Sequence, residues 1–96
     1  MLVQTSNYVG SVNRQWSLDV CVSDSNGVAP TLWYRLLYWA DDSYGVWNMR
    51  LRTEGGLIVG SKELTEQPPF DMVIEWGKAV AAADWRLTAA DCGGDA

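Results

Sequence analysis

The chain has 96 residues, of which 48% are hydrophobic and 20% charged, a composition that predicts one globular domain and no membrane-spanning segment. Lysine and arginine total 7 against 12 aspartate and glutamate residues, and the resulting net charge of −5 disfavours a nucleic-acid or anionic-membrane partner. The sequence contains no histidine, so the commonest general base and metal ligand is missing.

The amino terminus and the cysteines bear on the cellular compartment. Residues 1–10 lack the basic region and the apolar stretch of a secretory signal peptide. Cys21 and Cys92 are far apart in the sequence and have no spacing typical of a zinc site. We therefore expect free thiols, no metal, no cofactor and a cytoplasmic protein.

The first predicted element is a half-buried strand from Trp16 to Val22, where apolar and polar residues alternate. A loop is predicted from Ser23 to Pro30, because aspartate, asparagine and serine bond their own backbone in turns and glycine accepts a positive φ. The apolar side of the strand carries Trp16, Leu18, Val20 and Val22.

The segment from Thr31 to Trp39 is rich in aromatic and branched residues and is predicted to be a second strand. A helix is the alternative, because Leu32, Leu36 and Trp39 also fit a helical spacing. As a strand, the segment sends Leu32, Tyr34, Leu36 and Tyr38 to one face and Trp33, Arg35, Leu37 and Trp39 to the other.

Two further strands follow after short turns. A turn at Asp41–Gly45 precedes a strand from Val46 to Arg52, and Thr53–Gly56 reverses the chain into a short strand from Leu57 that Gly60 limits. The pattern predicts an antiparallel meander. In the strand 46–52, Trp47, Met49 and Leu51 point inward and Asn48, Arg50 and Arg52 point outward.

A helix is predicted from about Pro69 to Ala83, because proline is favoured in the first turn and an apolar side follows. Asp84 would fall on that apolar side, so we expect the helix to end before it. Residues 85–88 then form a short closing strand, residues 1–88 the domain, and residues 89–96 a flexible tail. The predicted solvent stripe is Asp71, Glu75, Lys78 and Ala82; the predicted apolar side is Phe70, Val73, Ile74, Gly77, Val80 and Ala81.

These elements together predict an α+β fold. Its sheet is an antiparallel meander of four or five strands, and the helix at about 69–83 packs on one face of that sheet.

Paired carboxylates are the remaining catalytic option. Asp41 and Asp42 are adjacent in a turn, and Asp71 and Glu75 lie one helical turn apart, so either pair could hold a divalent cation. Aspartate is also common in turns, and Asp71 and Glu75 belong to the solvent stripe, so the structural interpretation is favoured. With no base to activate a nucleophile, we predict that the protein is not an enzyme.

The concentration of aromatic residues between Trp33 and Trp47 is the feature least explained by folding alone, although a small two-sided core would also use these rings. One sheet face lies under the helix, and the other needs a cover. The sequence leaves three covers open: the segment up to Gln15, a second copy of the chain, or a ligand or another protein. Arginine beside aromatic rings is typical of an interface anchor, so Arg35 is the predicted hot spot. The candidate binding residues are Trp33, Arg35, Trp39, Asp41, Asp42, Tyr44 and Trp47.

Arg35 carries a further expectation, because a guanidinium in the middle of a strand must be solvated or paired. Either its face reaches solvent or a partner, or an acidic residue such as Asp19 pairs with it inside the protein.

Two hypotheses for function follow. The first is a non-enzymatic protein-binding or inhibitory accessory protein, either with a protein partner or as a homodimer that buries the second sheet face. In size and in its excess of acidic residues, the chain resembles small proteins carried by phages and other mobile elements. The second is a small-ligand domain in which Trp33, Trp39 and Trp47 stack on a sugar or a flat apolar molecule, with Asp41 or Asp42 orienting it.

Overall fold

The structure is a computed structural model that describes residues 1–27, 29–41 and 45–93, without the side chains at positions 12 and 90–93. Within these residues the chain forms five β-strands followed by one α-helix. The elements are β1 (Leu2–Val12), β2 (Gln15–Ser23), β3 (Leu32–Asp41), β4 (Val46–Thr53), β5 (Ile58–Leu64) and α1 (Phe70–Gly93).

The strands form one antiparallel sheet in chain order, from β1 at one edge to β5 at the other. Asn13 and Arg14 join β1 to β2 in a two-residue hairpin turn, with φ values of 53° and 60°. A two-residue turn needs positive φ values if its backbone is to match the twist of the flanking strands. Gly56 has a φ of 96° in the turn between β4 and β5. The predicted α+β fold and its antiparallel meander are therefore confirmed.

One face of the sheet packs under α1 and forms the core. Leu36, Met49 and Leu51 are fully buried there, and each such side chain contributes about 1.5–3 kcal/mol through burial. The segment 31–39 is thus a strand rather than a helix, and its Tyr34–Tyr38 side is the covered one. The core residues are Leu18, Val20, Val22, Tyr34, Leu36, Tyr38, Met49, Leu51, Val73, Ala81 and Trp85.

α1 packs directly against β3 at Gly77. A Cβ atom at this position would lie 2.6 Å from Cδ2 of Leu36, which is completely buried. Glycine therefore allows the helix backbone to lie directly on the side chain of Leu36.

α1 continues to Gly93, so the predicted end near Ala83 and the predicted closing strand at 85–88 are wrong. Asp84 does face the sheet, but its carboxylate accepts a 2.7 Å hydrogen bond from the Tyr34 hydroxyl. Trp85 is 8% exposed, and its Nε1–H donates to the Pro30 carbonyl at 2.8 Å. These partners remove the cost of burying polar groups that would otherwise have ended the helix.

The second half of α1 differs from the sequence expectation in two more respects. The sequence predicts a flexible tail from residue 89, whereas residues 89–93 are helical and residues 94–96 lie outside the described residues. Ala82 is buried rather than part of the solvent stripe, because its small side chain lies where the helix packs broadly on the sheet. Asp71 and Glu75 are exposed, as predicted.

β1 supplies the fifth strand, in place of the C-terminal strand that the sequence indicated. Its residues 2–6 pair regularly with β2, and the register shifts between Ser6 and Val9, where Asn7 has a φ of 55°. The N-terminal segment therefore extends the sheet at its edge. Of the three covers that the sequence leaves open for the second sheet face, the N-terminal segment is ruled out, because its backbone hydrogen bonds are made within the sheet.

Candidate functional site

The candidate site is the sheet face opposite α1, which we call the open face. Within the described residues, no strand or helix packs over it. Because side chains alternate along a strand, the register places opposed residues of β2, β3 and β4 side by side on this face. Its central residues are Asp19, Cys21, Trp33, Arg35, Leu37, Trp39, Arg50 and Arg52.

Trp33 is the most exposed large ring on the central strands, with 44% of its surface accessible. It lies opposite Cys21 on β2, whose thiol is buried and unbonded to sulfur; burial raises the pKa of that thiol. A buried, neutral thiol beside an exposed indole makes this part of the face apolar.

Arg35 and Asp19 form an ion pair on the open face. Oδ1 of Asp19 lies 3.0 Å from one terminal nitrogen of Arg35 and accepts from its Nε–H at 3.1 Å. Oδ2 of Asp19 accepts a 2.9 Å hydrogen bond from the Asn7 amide. The Arg35 side chain is 48% exposed and that of Asp19 is 18% exposed. Arg35 thus pairs with the residue that the sequence indicated, but at the surface rather than inside.

Trp39 and Arg50 form a second contact on the same face. The guanidinium carbon of Arg50 lies 5.1 Å from the centre of the Trp39 ring, a cation–π distance. The Nε–H of Arg50 is enclosed and has no hydrogen-bond acceptor among the described residues. In this part of the chain the Arg50 guanidinium thus contacts an aromatic ring and no carboxylate.

A shallow groove of about 550 Å³ lies where the open face meets the turn between β4 and β5. Trp33 and Arg35 form one side, and Arg52, Glu54 and Gly55 form the other. The groove is lined by an indole, two guanidinium groups and the carboxylates of Asp19 and Glu54. It can accept a ligand that combines an apolar group with a negative charge.

The predicted binding residues do not all come together. Trp33 and Trp39 share the open face but are six positions apart, about 20 Å along the strand, so one small ring cannot contact both. Trp47 lies on the covered face, where its ring centre is 5.5 Å from that of Trp16. Asp41 ends β3, and its carbonyl accepts from the Gly45 amide at 3.0 Å. Asp42 and Tyr44 lie outside the described residues.

The sequence interpretation missed Arg50, Arg52 and Glu54 as candidates. The alternation in 46–52 already placed both arginines outward, but only the register puts Arg52 opposite Arg35 and Arg50 opposite Leu37. A tight turn between the two strands implies this same pairing, so turn length is the sequence signal that could have identified it.

The carboxylate pair of the helix stands apart from the open face. Asp71 and Glu75 are exposed on the solvent side of α1. Among the described residues, no three acidic or sulfur-bearing side chains come together in an arrangement that could hold a metal ion.

Comparison of the chain with protein-family models, curated proteins and solved structures finds no significant match. In the described part of the chain, no helix has the length and apolar character needed to cross a membrane.

Proposed function

We propose that this chain is a non-enzymatic protein-binding module, an accessory or inhibitory protein whose interface is the open face. The observation that carries the proposal is Trp33, a large ring that is 44% exposed beside the Arg35–Asp19 ion pair. Tryptophan and arginine are enriched among the residues that dominate protein interfaces. Their presence together on an uncovered sheet face supports a protein partner.

The rigidity of these side chains supports the same proposal. Asp19 fixes Arg35 at 3.0 Å, and Trp39 stacks with Arg50 at 5.1 Å. All four lie on neighbouring strands of regular register. Binding to such a surface costs little ordering entropy, because the contacting groups already hold their positions.

Two kinds of partner fit this surface: another protein, and a second copy of the chain that buries both open faces in a homodimer. The buried free thiol of Cys21 fits a cytoplasmic, reducing environment.

A small ligand is the second candidate, and the groove is the observation that favours it. Its volume of about 550 Å³ lies in the range of small-molecule sites. Trp33 is the only tryptophan among the described residues that line it, so stacking between several tryptophans does not contribute. The protein-binding function therefore has the stronger support.

Site-specific photo-cross-linking in the native host tests the proposal. A benzoylphenylalanine replaces Leu37 on the open face, and a matched control replaces Leu87, which is 70% exposed on α1. We expect a defined protein adduct from position 37 and none from position 87. Trp33→Ala should abolish the adduct while leaving the circular dichroism and the melting temperature near those of the wild type.

The outcomes separate the candidates. An adduct of twice the chain mass, with dimers seen by light scattering, identifies the partner as a second copy. Identical adducts from positions 37 and 87, or adducts insensitive to Trp33→Ala, contradict the proposal. A metabolite that raises the melting temperature of the wild type but not of Trp33→Ala, without any adduct, supports the small-ligand function.

A further inference from the structure

We infer that the open face recognises the carboxylates of an acidic segment of its partner. This inference rests on the proposed function and names the chemistry of the partner. The inference is based on three arginines that lie close together on this face, Arg35, Arg50 and Arg52, with the Asp19 carboxylate among them. We call this set the arginine cluster.

The arginine cluster is compact. Arg35 lies directly opposite Arg52, and Arg50 lies opposite Leu37 on the same face. Neighbouring strands are about 5 Å apart and residues i and i+2 about 7 Å apart, so the cluster spans little more than one peptide unit in each direction. Like charges directly opposite each other destabilise a sheet. The fold nevertheless concentrates positive charge here in a chain whose net charge is −5.

Among the residues that the structure describes, Arg35 is the one arginine of the cluster that pairs with a carboxylate. Oδ1 of Asp19 binds Arg35 and Oδ2 accepts from Asn7, and in the described part of the chain Asp19 forms no ion pair with Arg52. Within the described residues, Arg52 is exposed and forms no ion pair or hydrogen bond. Arg50 contacts a ring, and its enclosed Nε–H has no acceptor in the part of the chain that the structure describes. Two guanidinium groups thus have no counter-charge from the described residues.

The surroundings of the arginine cluster favour a short acidic peptide segment over a nucleic acid. Glu54 lines the groove beside Arg52, and Glu63 lies opposite Asn48 at the far side of the cluster. These carboxylates bound the positive region, and the net charge repels an extended polyanion. A carboxylate can bind a guanidinium through two parallel hydrogen bonds, while an adjacent apolar side chain packs on Trp33.

Titration with two matched peptides tests the inference on the full chain. The probe is Ac-EEFEE-NH2, and the control is Ac-QQFQQ-NH2, which has the same shape without charge. Binding is followed by the NMR signals of the arginine Nε–H groups and of the Trp33 indole. We expect saturable shifts at Arg52 and Trp33 with the acidic peptide, and affinity at least about tenfold weaker for the neutral one.

A pair of variants makes the test specific for the cluster. Arg52→Gln should weaken binding of the acidic peptide about tenfold, because one charge-assisted hydrogen-bond pair is lost. Arg86→Gln, which removes an exposed arginine on α1, should leave the affinity unchanged. Higher salt should weaken binding to the wild type more than binding to Arg52→Gln.

Three results overturn the inference. Equal affinity for both peptides, with shifts at Trp33, means that the face binds proteins without reading charge; the proposed function then stands. If the acidic peptide causes no saturable shifts at millimolar concentration, the face does not recognise carboxylates. The proposed function is then decided separately, by the cross-linking result. Tighter, competing binding of single-stranded oligothymidylate identifies a nucleic acid as the occupant instead.

Discussion

The hydroxyl of Tyr34 donates a 2.7 Å hydrogen bond to the carboxylate of Asp84, a contact that ties β3 to the second half of α1. Tyr34 is 2% exposed. We expect Tyr34→Phe to lower the free energy of unfolding by about 1–3 kcal/mol, because the Asp84 carboxylate loses its donor in a partly buried place. Asp84→Asn should cost less, since an amide oxygen still accepts from the hydroxyl. Urea denaturation followed by tryptophan fluorescence measures both changes.

Tyr38→Phe is the matched control for Tyr34→Phe. Tyr38 is also buried, at 4% exposure, but its hydroxyl makes no hydrogen bond within the described residues. Removing that hydroxyl should therefore change the free energy of unfolding less than Tyr34→Phe does. Equal losses in the two variants would show that the Tyr34–Asp84 bond contributes nothing of its own.

The stability of the protein at alkaline pH should depend on Tyr34. Burial, then the hydrogen bond to Asp84 and the charge of that carboxylate, raise the pKa of Tyr34 above its ordinary value of about 10. A pKa that is raised in the folded state gives stability that is present below about pH 10 and lost as the pH rises toward the folded pKa. The wild-type free energy of unfolding should therefore fall more steeply above about pH 10 than that of Tyr34→Phe.

Denaturant titrations at several pH values measure these slopes for the two proteins. Ultraviolet titration of the phenols should also show, by comparison with Tyr34→Phe, that Tyr34 of the wild type ionises only as the protein unfolds. Parallel slopes for the wild type and Tyr34→Phe would contradict this prediction.

Gly77→Ala should destabilise the protein, the reverse of the usual effect of this change in a helix. Alanine in an exposed helical position gains about 0.5–1 kcal/mol over glycine. Here the added Cβ would lie 2.6 Å from Leu36 Cδ2, and overpacking costs about 1–3 kcal/mol. We expect a net loss on the order of 1 kcal/mol in the free energy of unfolding.

A double-mutant cycle isolates the Gly77 contact. Adding Gly77→Ala to a Leu36→Ala background should cost less than in the wild type, because the opposing methyl groups are gone. Ala79→Gly, at an exposed position of the same helix, measures the propensity difference alone. A stabilising effect of Gly77→Ala in the wild type would contradict the close approach of α1 to β3.

Asp19→Ala should destabilise the protein more than Arg35→Ala, although the two residues form one ion pair. Exposed pairs contribute about 0.2–1 kcal/mol, so we expect Arg35→Ala to cost no more than about 1 kcal/mol. That change also relieves the repulsion between Arg35 and Arg52. Asp19→Ala instead leaves the arginine cluster without its carboxylate.

Thermal unfolding at low and high salt measures this asymmetry. The excess loss in Asp19→Ala should shrink at high salt, because screening weakens the repulsion between exposed arginines. A loss near 3 kcal/mol in Arg35→Ala would indicate instead a pair that behaves as buried.

Much of the candidate site follows from the alternation of side chains in the sequence. That alternation separates Trp33, Arg35 and Trp39 from the core and turns Arg50 and Arg52 outward. It does not say which face of β3 meets the helix, because both faces are rich in large rings. The register was needed to bring Arg52 beside Arg35 and to remove Trp47 from the site.

The sequence by itself determined the four strands β2 to β5, their antiparallel order and the start of the helix. These features depend on local properties: alternation, turn residues and the tolerance of proline in a first helical turn. Each can be recognised within a window of about ten residues.

Tertiary structure alone decided the strand β1, the continuation of α1 past Ala83 and the identity of the open face. β1 has little alternation of its own and is ordered by pairing with β2. The helix continues through Asp84 because Tyr34, which is distant in sequence, donates a hydrogen bond to the Asp84 carboxylate. A buried polar group ends an element when it has no partner and extends the element when the fold provides one.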